Sequence, residues 1–92
     1  MPKVHFRIRW PDGAEEVCYS PSTVIRDYLS AGQTYQLSDF VERSETALDR
    51  AALRVKAKFG HRCSNADAQA DRIKDRANAF DPKETVTCLS MS

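Results

Sequence analysis

Between Lys3 and Trp10 polar and apolar side chains alternate without interruption. Val4, Phe6, Ile8 and Trp10 fall on one side, and Lys3, His5, Arg7 and Arg9 on the other. A period of two is that of a half-buried β-strand. Pro11-Asp12-Gly13-Ala14 follows, in which Asp-Gly supplies the positive φ angles of a tight hairpin turn, so Glu15 to Ser20 is the expected return strand. A turn centred on Asp12-Gly13 sets Ile8 opposite Val17, Phe6 opposite Tyr19 and Arg9 opposite Glu16. A slip by one sets Glu16 against Ile8 and Cys18 against Phe6, so matching apolar to apolar favours the first register.

Beyond the hairpin the period changes. From Ser20 to Gln36 the chain reads as a connector in which Val24, Ile25, Tyr28 and Leu29 recur at helical spacing, predicting one or two helical turns that end before Gly32 and lid the core. A long helix is predicted from Ser38, a good N-cap, to Gly60, a good residue just past a helix end. Its stripe is Val41, Leu48, Val55 and Phe59, flanked by Phe40, Ala47 and Ala51. At about 21 residues it spans roughly 31 Å. Asp39, Glu42 and Glu45 lie early, and Arg50, Arg54, Lys56 and Lys58 late, as the helix dipole favours.

A second helix is predicted from about Asn65 to Phe80, capped by Ser64 or Asn65 and stopped by Asp81-Pro82. Its seam is Ala66, Ala70, Ile73, Ala77 and Phe80. The short link from Gly60 to Cys63 folds the two helices back as an antiparallel pair over the apolar face of the strands. Asp67, Asp71 and Asp75 stack one turn apart, with Arg72, Lys74 and Arg76 expected to offset them. Thr85 to Leu89 is β-prone and reads either as a third strand or as a loose tail. The expected architecture is a two-layer α+β fold in one domain over residues 1–92. It comprises a hairpin at 1–20, a connector at 21–37, helices at 38–60 and 64–80, and a strand or tail at 81–92.

Size and charge narrow the function classes. A chain of 92 residues buries only about 60 to 65% of its unfolded surface, enough for one core and a surface site but not for separate cofactor and substrate domains. Fourteen Lys and Arg against 13 Asp and Glu leave a net charge of +1, which gives no global field for nucleic acid or an anionic membrane. No apolar run approaches the roughly 18 to 20 residues of a membrane span, and Met-Pro-Lys-Val-His-Phe lacks the apolar segment of a signal peptide, so a cytoplasmic protein is expected. Cys18, Cys63 and Cys88 are odd in number and widely spaced, which fits free thiols in a reducing compartment rather than disulfides or a zinc site.

Two constellations carry chemistry. His61-Arg62-Cys63-Ser64 joins one helix to the start of the next, where backbone N–H groups and basic neighbours favour a thiolate or a bound anion. A buried thiol serving as an apolar plug is the competing reading, and the commoner one. The cations His5, Arg7 and Arg9 on the strand, and Arg50 and Arg54 on the long helix within the partial stripe Arg43, Arg50, Arg54 and Lys58, form candidate interaction surfaces. On the strand face no aromatic is expected among the cations, so stacking of single-stranded nucleic acid is disfavoured. Metal-binding loops, Gly-rich phosphate loops and nucleophile motifs do not occur in the sequence, which argues against an independent enzyme and calls for no cofactor or metal.

Arg9-Trp10-Pro11-Asp12-Gly13, Cys18-Tyr19-Ser20-Pro21-Ser22, Asp39-Phe40-Val41-Glu42-Arg43-Ser44, Arg54-Val55-Lys56-Ala57-Lys58-Phe59-Gly60 and Cys63-Ser64 together resemble a family of small bacterial nitrogen-starvation-response proteins, over about residues 3–65. The resemblance implies an accessory role in nitrogen scavenging, encoded in a gene cluster with a nitrilase and other enzymes, and carries over no catalytic residue. Two functions are therefore expected to compete. One is a non-catalytic accessory or interaction protein, partnered by an enzyme of the same cluster or by itself as a homo-oligomer. The other is a thiol-dependent or small-anion-binding protein using Cys63 with His61 and Arg62.

Overall fold

The computed structural model describes residues 2–92. Its elements are β1 (Val4–Arg9), β2 (Glu15–Ser20), a 3-10 turn (Thr23–Asp27), β3 (Thr34–Gln36), α1 (Leu37–Phe59), α2 (Ser64–Ala77) and β4 (Thr85–Met91). The strands form one antiparallel sheet in the order β2-β1-β4-β3, and the helices pack on one of its faces. The α+β class expected from the sequence is the observed one. Of the two readings of the C-terminal segment the strand is right, and it is an inner strand, hydrogen-bonded to β1 on one side and β3 on the other.

The hairpin register is the slipped one. Phe6 lies opposite Cys18, Arg7 opposite Val17, Ile8 opposite Glu16 and Arg9 opposite Glu15. The cause is the loop. The Gly13 N–H donates to the Trp10 carbonyl at 2.9 Å and the Trp10 N–H to the Ala14 carbonyl at 2.8 Å, so the loop is three residues, Pro11 to Gly13. Pro11 occupies the second position of a turn that favours proline there, and Gly13, at φ 89°, is the left-handed residue that closes such a loop. The turn chemistry therefore outweighed apolar pairing. As a result Glu16, Cys18 and Ser20 face the helices, while Glu15 and Val17 face away from them and Tyr19, on the outer side of this edge strand, also borders the groove beside α2. Val17 is 56% exposed.

β1 places Val4, Phe6, Ile8 and Trp10 in the core against Ile25 and Leu29 from the connector, Leu37, Phe40, Ala47, Leu48 and Ala52 of α1, and Ala66 and Ile73 of α2. Trp10 is the hub: Phe40 meets it edge-on with centroids 5.9 Å apart and Phe80 stacks on it at 6.0 Å. Aromatic pairs of this kind have a preferred geometry, and here they tie α1 and the segment after α2 to the end of one strand.

Helix limits depart from expectation at three ends. α1 begins at Leu37 without a side-chain cap, because carbonyls of the 82–84 segment accept its first N–H groups: Leu37 to Glu84 at 2.7 Å and Ser38 to Pro82 at 3.2 Å. α2 is flanked by Cys63, not capped by Ser64 or Asn65. It ends at Ala77 instead of Phe80, and the chain turns so that Phe80 reaches Trp10. Gly60 closes α1 at φ 89° as its sequence position indicated. The apolar stripe of α1 outruns the core: Phe59 is 57% exposed, and Val55 only partly buried.

Candidate functional site

The junction between the helices keeps His61, Arg62, Cys63 and Ser64 together but commits one of them elsewhere. Arg62 grips Asp67 through both nitrogens, Nε at 3.2 Å and Nη2 at 2.7 Å, and donates from Nη2 to Asp49 at 2.9 Å. It is thus a tie between α1 and α2. These hydrogen bonds raise the guanidinium pKa further above its ordinary value and hold the Asp67 carboxyl below the usual range. His61 and Ser64 are exposed, and Cys63 is half-buried against the core. Its carbonyl accepts the Ala66 N–H at 3.2 Å at the start of α2.

The other two thiols are buried. Burial pushes the Cys18 thiol up to about 12, with the negative charge of Glu16 adding to the effect, and burial also raises that of Cys88. Burial, and then the nearby Cys63, raise the Tyr19 phenol.

His5, Arg7 and Arg9 line the sheet face that the helices leave uncovered. Glu15 lies between Arg7, at 3.6 Å, and Arg9, at 3.7 Å. The slipped register corrects the expectation that this face lacks aromatics, because Tyr19 stands beside His5 with ring centroids 5.9 Å apart. Arg50 and Arg54 lie in the opposite layer, on the outer side of α1. There they line a shallow groove with Val24, Tyr28, Leu53 and Ala57, and the Arg50 guanidinium sits 5.8 Å from the Tyr28 ring centre. The five candidate surface residues His5, Arg7, Arg9, Arg50 and Arg54 therefore form two surfaces, one per layer. Arg43 is spoken for: it donates to Asp39 at 2.9 Å and to the Tyr28 carbonyl at 3.0 Å, and lies over Tyr35.

Sequence reasoning missed a polar clasp at the edge of the core. Glu16, whose side chain is 15% exposed, accepts from the Trp10 indole N–H at 3.1 Å and from Arg72 Nε at 2.7 Å. This ties β1, β2 and α2 together and raises the Arg72 pKa. The slipped register makes the clasp, so no spacing along the chain announced it. Arg72, Lys74 and Arg76 accordingly pair with Glu16, Glu45 and Asp12 rather than with the acidic row of their own helix.

A four-stranded antiparallel sheet covered on one side by two helices, with cations on both outer surfaces, defines a small two-layer α+β protein whose accessible chemistry lies on its surface. The chain belongs to the family described as nitrogen starvation-induced protein NitG, which matches residues 5–91 and so extends through the C-terminal strand. No curated protein and no solved structure matches it.

Proposed function

We propose that this nitrogen starvation-induced protein is a non-catalytic accessory protein of nitrogen scavenging, and that it docks an enzyme encoded in the same gene cluster through the uncovered face of its sheet. The observation that carries this reading is the company kept on that face. An exposed Val17 and the Tyr19–His5 pair lie among Arg7 and Arg9, a mixture of aromatic, apolar and arginine side chains of the kind enriched where proteins bind each other. Glu15 holds the two arginines in place without burying them.

The test is recovery of the tagged chain from nitrogen-starved cells. An enzyme of the cluster, such as its nitrilase, is expected in stoichiometric amount with the unaltered protein and is expected to be lost with Arg7→Glu/Arg9→Glu. Equal recovery with both would sink the assignment of this face. Recovery of no enzyme with either would sink the accessory role.

A second reading rests on Cys63, the one half-buried thiol beside two fully buried ones. In that reading Cys63 is a reactive thiol, or lines a small-anion site, beside His61 and Arg62. It requires Cys63 to be alkylated by iodoacetamide at neutral pH faster than a free cysteine peptide. A slower rate removes it.

A further inference from the structure

We propose that a second copy of this chain docks on the outer face of α1, forming a two-fold dimer through surfaces of opposite charge. The proposal is independent of the sheet-face docking above, since it uses the other layer of the molecule.

Glu42, Thr46, Asp49, Arg50, Leu53 and Ala57 recur at three- and four-residue spacing along α1, and all are exposed. This ridge stands between two grooves of opposite character. On the side of the 3-10 turn lie Arg50 and Arg54, with Val24, Tyr28, Leu53 and a single acid, Asp27. On the side of α2 lie Glu45, Asp49, Asp67 and Asp71, with Lys74 as the lining cation. Among the described residues Glu42, Arg50, Arg54 and Asp71 make no ion pair, although carboxylates and cations elsewhere on the helices do. Of the charges lining the two grooves, Arg50, Arg54 and Asp27 are unpaired among the described residues on one side and Asp71 on the other, where Lys74 pairs with Glu45 and Arg62 with Asp49 and Asp67, so one groove carries an excess of cations and the other an excess of carboxylates.

Such a face is complementary to itself. A two-fold axis lying in its plane, perpendicular to the line joining the two grooves, carries each groove onto the opposite groove of the other copy. Leu53, 46% exposed in the middle of the ridge, is then covered. A net charge of +1 leaves little overall repulsion between copies. The chain extends 38 × 23 Å in its two longer dimensions, so one broad face is on the scale of the roughly 800 Å² per partner that a specific interface buries. The dimer would have its helices inside and both sheet faces outside, available to two partners at once.

Sedimentation equilibrium of the full chain, at low and at high salt, tests this. The expected result is a dimer at low salt that weakens as salt rises. Arg50→Glu/Arg54→Glu and Glu42→Lys/Asp71→Lys should each raise the dissociation constant by about tenfold or more, and a mixture of the two variants should recover a heterodimer. All four side chains are exposed and without ion pairs, so circular dichroism should match the unaltered chain. Should either pair lose its helical signal, Leu53→Arg alone provides the same readout. A chain that stays monomeric at the highest concentration overturns the proposal. So does a dimer indifferent to both pairs of substitutions, or a mixture that fails to restore association.

Discussion

At the scale of single residues, the fold is most exposed to change where a polar group has been taken into the core for a partner. Glu16 is such a group, holding the buried Trp10 indole N–H and Arg72 at once. Glu16→Ala leaves the donor of the buried indole without its partner, a loss on the order of 1–3 kcal/mol in urea-unfolding free energy. Glu16→Gln keeps an acceptor for the indole and is expected to recover most of it. Equal losses for the two would place the energy in the charge pairing with Arg72 instead. Cys18 gives a second residue-scale expectation, read from pH. Its thiol ordinarily ionises near 9.0 and in the folded chain at about 12. A raised value means that the folded state holds its proton after the unfolded state has released it. The stabilisation is therefore complete below about pH 9 and drains away as pH climbs towards 12, at up to about 1.4 kcal/mol per pH unit for one thiol. Cys88 and Tyr19 shift in the same direction, so Cys18→Ala should flatten, without abolishing, the alkaline slope of stability followed by chemical denaturation. An unchanged slope would remove Cys18 from that account.

At the scale of elements, the hairpin shows which local rule governs. Its register hangs on the three-residue loop, and the loop on Gly13 at φ 89°. Gly13→Ala forces a Cβ into the left-handed region at a cost of about 1–2 kcal/mol, measurable as a lower denaturation midpoint. Val17→Thr then separates the two registers directly. With Val17 facing solvent opposite Arg7, the change should lie within about 0.5 kcal/mol of neutral, whereas a Val17 buried against Ile8 would lose a core methyl to a hydroxyl and fall well outside that range. The strands and helices with a clear period, β1, α1 and α2, could be read from the sequence, because a face of alternating or 3.6-spaced side chains is written locally. The loop length was legible in principle from proline's preference for the second turn position, and apolar matching pointed the wrong way because β2 puts a paired carboxylate and a small thiol where large apolar residues were sought. β3, three residues long, is too short to show a period. The stripe of α1 could not reveal where its cover ends, since periodicity says which side is apolar and not how far the sheet reaches; Phe59 lies beyond it. The candidate site divides the same way. The junction residues are contiguous, so their proximity is written in the sequence, while the Glu16 clasp and Tyr19's place among the cations required the register.

At the scale of the whole molecule, the sheet is closed by its last element. β4 hydrogen-bonds to β1 near the start of the chain and to β3 in the middle. Just past it Ser92 exchanges hydrogen bonds with His5, each at 2.9 Å, and Thr34 and Thr87 hydroxyls meet at 2.9 Å across β3 and β4. Val86 and Cys88 of β4 are fully buried. Without this strand the N-terminal hairpin would be a lone two-stranded unit, β3 would have no neighbour, and Glu84 would no longer lead into a strand that fixes its carbonyl at the start of α1. Removing residues 85–92 is therefore expected to abolish the fold as a unit rather than to fray one edge. The truncated chain should keep some helical far-ultraviolet signal, lose the near-ultraviolet signal of Trp10 and melt without a cooperative transition, whereas Phe59→Ala, at the exposed tip of α1, should leave the melt unchanged. Cooperative melting with the Trp10 signal intact would mean that the hairpin and helices stand alone and that β4 merely covers them. The topology argues otherwise, because the two central strands of the sheet come from opposite ends of the sequence, so neither can be in place until the chain has brought both together.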